Sequence, residues 1–168
     1  TFCPNKTYKS SYDKNKMGEE KKDKVVYLIG SLKNRKVIGL AKKLRENFPT
    51  WEVFDDWISP GPEADDFWRD YEKERGSTYK QALGNWAGKH IFEFDKHHLD
   101  RADIGVLYMP CGKSGHLELG YHLGKGKPGF VLFDEEPERW DVMYQFATGV
   151  CFSHDELLHE LNKIKNGN

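Results

Sequence analysis

Glu118 is the residue of this chain best placed by sequence to do chemistry. It follows an apolar run, Ile104–Met109, and a turn, Pro110-Cys-Gly-Lys-Ser-Gly115, that is rich in glycine and serine. Gly112, Ser114 and Gly115 permit close backbone approach and leave free N–H groups where the next helix opens, a setting suited to an anionic or hydroxyl-rich ligand. Glu118 is expected in the first turn of that helix, held ionised by the helix dipole at the carboxyl end of a strand. A carboxylate so placed is a candidate nucleophile; a solvated helix-opening glutamate is the alternative that spacing leaves open. His116 lies between the turn and Glu118.

A second candidate set lies near the start. Val25–Ile29 reads as a strand and runs into Gly30-Ser-Leu-Lys-Asn-Arg35, after which residues 35–47 carry helical spacing. Gly30, Ser31, Lys33 and Arg35 therefore offer a small backbone, a hydroxyl and two cations at a helix start, which suits a phosphate. The turn matches neither the Walker A nor the dinucleotide fingerprint, and an ordinary turn is the alternative. A third set is Asp55, Asp56 and Trp57, at the carboxyl end of the expected strand Trp51–Phe54. Either Asp could bind sugar hydroxyls or a base edge, and Trp57 could stack on a base; a capping Asp and a core-edge Trp remain equally open. His90, His97 and His98 lack any HExxH pattern, so no metal is expected.

The elements that must hold these residues are legible from apolar patterning. Ile104–Met109 is apolar on both faces, as in a central strand of a parallel sheet. Phe130–Phe133 and residues 150–152 read as further strands, and Ser153 caps a last helix. Residues 63–87 are charged and aromatic and are expected to be helical, with Phe67, Trp68, Tyr71, Tyr79, Leu83 and Trp86 buried. Asp95 and Leu99 share a face of the helix that follows. Residues 141–148 are expected to form a short helix. Five strands alternating with helices imply an α/β fold: a doubly wound, mostly parallel five-stranded sheet flanked by helices, a Rossmann- or flavodoxin-like three-layer sandwich.

The chain has 168 residues and 32% charged residues, with a net charge of -1. That length suits one domain, residues 25–168, preceded by a Lys/Ser/Asn/Asp-rich flexible tail, residues 1–24. Balanced charge argues against a nucleic-acid polymer or an anionic membrane as the main partner, so a small molecule is expected. Cys3, Cys111 and Cys151 form no CxxC pair, which points to a reducing, cytoplasmic setting. No apolar run is long enough to span a bilayer.

Several separated motifs coincide with one family. Val26-Tyr-Leu-Ile-Gly-Ser31, Asp95 eight positions before Asp103, and Gly115-His-Leu-Glu-Leu-Gly120 followed by Gly126-Lys-Pro128 resemble the nucleoside 2-deoxyribosyltransferases. They resemble equally that family's relatives, the 2′-deoxynucleoside 5′-monophosphate N-glycosidases. The resemblance implies that Glu118 is the nucleophile, Asp95 the acid on the base side and Tyr27 a residue that positions nucleophile or sugar. It implies that the turn through Ser31, Lys33 and Arg35 binds a 5′-phosphate, with Ser114 nearby; this chain has Lys33 where an Arg is usual and Gly112 where the family turn often has Asp. The implied reaction is cleavage of an N-glycosidic bond through a covalent glycosyl-glutamate, by hydrolysis or by transfer to another base, without a cofactor. It also implies a homo-oligomer whose neighbour completes the site, with Met143 and Tyr144 as candidates to reach across. Two other readings are a nucleotide-binding sensor on the same fold and an NAD-glycohydrolase.

Overall fold

The computed structural model describes residues 22–167. Most of the expected tail, residues 1–21, lies outside them.

Five short apolar runs form the sheet: β1 (Val25–Ile29), β2 (Glu52–Phe54), β3 (Ile104–Tyr108), β4 (Gly129–Leu132) and β5 (Gly149–Cys151). Their order is β2-β1-β3-β4-β5, and every neighbouring pair is parallel. Tyr27 faces Phe54 in the register on one side and Gly105 on the other. All five β3 residues and four of the five in β1 are buried, the signature of strands covered on both faces.

Helices α1 (Lys36–Asn47) and α6 (His154–Lys165) cover one face. Val37, Leu40, Ala41 and Leu44 of α1 follow helical spacing and are buried with Leu157 and Leu161 of α6. Ser153 caps α6, its hydroxyl accepting the Glu156 N–H at 3.1 Å. The other face carries α4 (Trp86–Arg101) and α5 (Lys113–Gly124), packed on Tyr27, Ile29, Leu107 and Val131 through Leu99 and Leu119. The chain steps one way from β1 to β2 and the other way from β3 onward. The crevice between the carboxyl ends of β1 and β3 is therefore the topological switch point, where such sheets bind ligands.

The segment before α4 departs from expectation. It forms α2 (Ala64–Glu74) and α3 (Tyr79–Gly84), but Phe67, Tyr71, Tyr79, Leu83 and Trp86 are exposed, Tyr79 and Trp86 by more than 70% (73% and 79%). Only Trp68 of the expected set is half-buried. The reason is position: α2 and α3 pack on each other and on α4 rather than on the sheet, so they have no second layer to bury an apolar face against. The short helix expected over residues 141–148 is a 3-10 helix, Val142–Phe146, with Asp141 as its cap. Among the described residues, no helix is long and apolar enough to cross a membrane.

Candidate functional site

The turn after β3 and the opening of α5 are set by close packing around one glycine. A Cβ on Gly115 would collide with the Cys111 Sγ and lie 3.0 Å from Ile29 and 3.1 Å from Leu107. Only glycine lets α5 enter this close to the ends of β1 and β3. The helix starts earlier than the sequence suggests, at Lys113, so Glu118 is in its second turn rather than its first. The helix dipole acts within the first turn and gives Glu118 little support there.

Glu118 instead faces Asp95 of α4. The two carboxylates share a cavity of about 260 Å³ whose walls are Phe92, Leu99, Leu117 and Tyr121, with Lys96 at its side. Burial pushes Glu118 up to about 7, and the Asp95 charge adds to the shift. Burial, and after it the Asp65 charge, pushes Asp95 up to about 6. This corrects the expectation that Glu118 is held ionised: the protein gives it an apolar pocket and a like-charged neighbour, both of which favour the protonated form. Two interacting carboxyls titrate as a unit, so near neutrality this pair is only partly ionised.

Tyr27 lies beneath the pair, buried and stacked on Phe54 with ring centroids 5.1 Å apart. Burial, and then the charges of Glu118 and Asp95, raise its phenol above the ordinary value, so its hydroxyl stays a donor. Cys111 borders the site from the turn after β3. Burial and the Glu118 charge push its thiol up to about 11, which leaves it protonated and a poor nucleophile.

A second cavity, of about 450 Å³, adjoins across Cys111. It is lined by Ser31, Lys33 and Arg35 of the β1–α1 turn together with Pro110, Cys111 and Gly112. Lys33 and Arg35 are exposed, and the Ser31 hydroxyl accepts the Lys33 N–H at 3.2 Å. Lys36, the third cation of the turn, is engaged by Asp134 at 2.5 Å. The two turns are joined by Asn34, a buried residue that sequence reasoning passed over. Its amide donates to the Tyr108 carbonyl at 3.2 Å and to the Pro110 carbonyl at 3.5 Å. An Asn flanked by two cations at a strand-to-helix turn was the available signal, but its partners are more than 70 residues away (74 and 76).

Gly30 lets the end of β1 pack closely on Trp57 and Val37. A Cβ there would lie 2.8 Å from Val37 and 3.3 Å from the Trp57 indole. Trp57 is half-buried beside it, its ring N–H donating to the Leu28 carbonyl at 2.7 Å, so the indole is fixed at the end of β1. Asp55 is not part of this grouping. It is buried, and its carboxylate is taken by Arg45 of α1 at 2.5 Å, which makes it an ion-pair partner rather than a free ligand for sugar or base. Ser114 is exposed on the first turn of α5. His116 points away from the carboxylates: its Nδ1 bonds the Gly112 carbonyl at 2.8 Å, and its Nε2 meets the Tyr144 hydroxyl at 2.9 Å.

A larger cavity lies elsewhere. A groove of about 820 Å³ between α5 and the 3-10 turn is bordered by His116, Leu123, Met143, Tyr144 and Phe146. It holds no paired carboxylates, so the smaller pocket is the candidate site. Met143 is exposed there, whereas Tyr144 packs locally on Phe133. Among the described residues, no group of three His, Cys, Asp or Glu side chains is placed to hold a metal ion. His98 is stacked on Phe54 at 3.9 Å, and His90 on Trp86 at 5.1 Å.

No family model matches the sequence, and no curated protein matches it. Solved structures share its fold. A conserved protein from Enterococcus faecalis V583 overlays with a TM-score of 0.58 at 13% identity, covering 83% of this chain and 98% of that one. A 2-deoxyribosyltransferase from Bacillus psychrosaccharolyticus overlays with a TM-score of 0.52 at 16% identity, covering 80% and 90%. The CMP N-glycosidase BcmB from Clostridium botulinum has a TM-score of 0.48 at 17% identity, covering 83% and 99%. At these identities the likeness is one of fold.

Proposed function

We propose that this protein cleaves the N-glycosidic bond of a nucleoside, deoxynucleoside or 5′-monophosphate, with Glu118 as nucleophile and Asp95 as acid. The observation that carries the reading is the convergence of Asp95 and Glu118, from separate helices, on one apolar-walled pocket between α4 and α5. The fold neighbour from Bacillus psychrosaccharolyticus, a 2-deoxyribosyltransferase, agrees with it.

The chemistry follows from the charge state. Departure of the base leaves positive charge at the sugar C1, which favours the Glu118 anion and leaves Asp95, beside the leaving nitrogen, as the group that carries the proton. Glu118 then captures C1 as a covalent glycosyl ester, while Asp95 protonates the base. Water completes a hydrolysis; a second base completes a transfer. Tyr27, as a buried donor, orients the Glu118 carboxylate. Trp57 offers a fixed apolar wall, and Ser31, Lys33 and Arg35 suit a 5′-phosphate in the adjoining cavity. Phe92 and Leu117 on the pocket rim are 63% and 75% exposed, and a second copy of this chain is the proposed cover for them, with Met143 as a residue to reach across.

The test is product chromatography after incubation with nucleosides, deoxynucleosides and their monophosphates, each with and without a second free base, beside Glu118→Gln. Release of base without acceptor identifies a hydrolase, and exchange only with acceptor a transferase. Release confined to monophosphates assigns the cationic cavity. Glu118→Gln is expected to bind substrate with turnover reduced at least about 1,000-fold. No release from any substrate would refute the reading in favour of a non-catalytic nucleotide sensor, and nicotinamide release from NAD would redirect it to an NAD-glycohydrolase.

A further inference from the structure

One cation borders the carboxylate pocket among the described residues, and it is turned away from the carboxylates. Lys96 follows Asp95 on α4 and lines the same cavity, yet its ammonium lies 2.5 Å from Asp100, one turn further along. Asp100 is a collecting point. Its carboxylate also takes Lys125 of α5 at 2.5 Å and the Tyr121 hydroxyl at 2.7 Å. The two ammonium groups flank the Tyr121 ring at 5.5 Å and 5.1 Å from its centroid. Tyr121 is itself a wall of the carboxylate pocket, one turn beyond Glu118. The cluster thus ties the helix that carries Asp95 to the helix that carries Glu118.

The other groups that face the carboxylates are neutral or anionic. They are Tyr27 from β1, Asp65 from α2, Cys111 from the turn after β3 and Tyr121 from α5. A lysine free to swing into this pocket would meet two partly desolvated carboxyls with no competing cation, and a charge pair in such surroundings is strong.

We propose that Asp100 is a positioning residue for the carboxylate pair: it holds Lys96 away from Asp95 and Glu118 and locks α4 to α5, so the two carboxyls stay together without pairing with the lysine. Three observations support this. The Lys96–Asp100 and Lys125–Asp100 contacts are short, Asp100 is held well below the usual carboxylate range by its bonds to Lys125, Lys96 and Tyr121, and burial and like charge govern Asp95 and Glu118. The catalytic consequence rests on the function proposed above; the charge arrangement does not.

The test reads the carboxyls directly. Side-chain carboxyl resonances of ¹³C-labelled protein are titrated by NMR in wild type, Asp100→Asn, Lys96→Met and the double variant, with Asp95→Asn and Glu118→Gln as assignments. Asp100→Asn is expected to lower the pair's midpoints by about 1 pH unit or more, as a lysine joins them. Lys96→Met is expected to leave them in place, and the double variant to restore them. Unchanged midpoints in Asp100→Asn, or a shift that survives in the double variant, would overturn the proposal. If Asp100→Asn does not fold, Lys96→Met decides alone: midpoints that rise show that Lys96 already acts on the pair, against the proposal, and constant midpoints support it. No substrate is needed, so failure of the glycosidic reading leaves this result standing. Where turnover is found, Asp100→Asn moves the pH optimum to the acid side by the same amount.

Discussion

Replacing Gly115 by Ala tests how the helix that carries Glu118 is docked. The added methyl has no free volume. It would overlap the Cys111 Sγ and press on Ile29 at 3.0 Å and Leu107 at 3.1 Å. The sulfur cannot swing aside without cost, because it is half-buried in the turn and faces the Gly115 position directly. Overpacking of a tight site costs about 1–3 kcal/mol, and an overlap this deep belongs in the upper half of that range, about 2–3 kcal/mol. For a domain of this size that is a melting temperature lower by roughly 5–10 °C. Removing the sulfur should return much of the loss: in a Cys111→Ala background the two remaining contacts need shifts of a few tenths of an ångström, and the penalty should fall to about 1 kcal/mol. Gly120, on the exposed side of the same helix, has nothing within 4 Å of its Cβ position. There the same substitution should stabilise by about 0.5–1 kcal/mol through helix propensity. Urea denaturation of the four variants measures all of this. A Gly115→Ala protein within about 0.5 kcal/mol of wild type, or an equal loss with and without Cys111, would refute the packing argument.

Two further expectations follow from buried polar groups. Asn34→Ala strips a donor shared by the Tyr108 and Pro110 carbonyls and should cost about 1–2 kcal/mol in urea denaturation; a cost below about 0.5 kcal/mol would mean that the two turns are held by other contacts. His122 is fully buried, with Nε2 donating to the Pro128 carbonyl at 3.1 Å and Nδ1 without a partner among the described residues, and burial holds its pKa below the ordinary 6.5. The unfolded chain therefore binds this proton at a pH where the folded one does not, so its contribution is intact above about 6.5 and is lost as pH falls toward the folded value. His122→Gln should flatten the fall in stability below pH 6.5 by at most about 1.4 kcal/mol per pH unit, and an unchanged slope would assign that fall to other groups.

What the sequence determined by itself is the part of this protein written in local patterns. The apolar runs at Val25–Ile29 and Ile104–Tyr108 announce central strands because both faces must be buried. The glycine-rich turns, the helical spacing of Val37, Leu40, Ala41 and Leu44 and the Ser153 cap are likewise read from neighbours in the chain. Alternation of such elements leaves little besides a parallel α/β sheet. Tertiary structure alone decided the rest, because it depends on which distant surfaces meet. Asp95 looks like any helical acid until α4 and α5 pack side by side and bring it to Glu118. That meeting, with burial, replaces the expected dipole-stabilised anion with a pair of carboxyls both raised above their ordinary values. Asp55 and Asn34 exchange their expected importance for the same reason, since Arg45 claims the one and two distant carbonyls claim the other. The aromatic residues from Phe67 to Trp86 look like core by composition and are exposed because α2 and α3 lie off the sheet. Periodicity tells which face of a helix is apolar; only packing tells whether anything covers it.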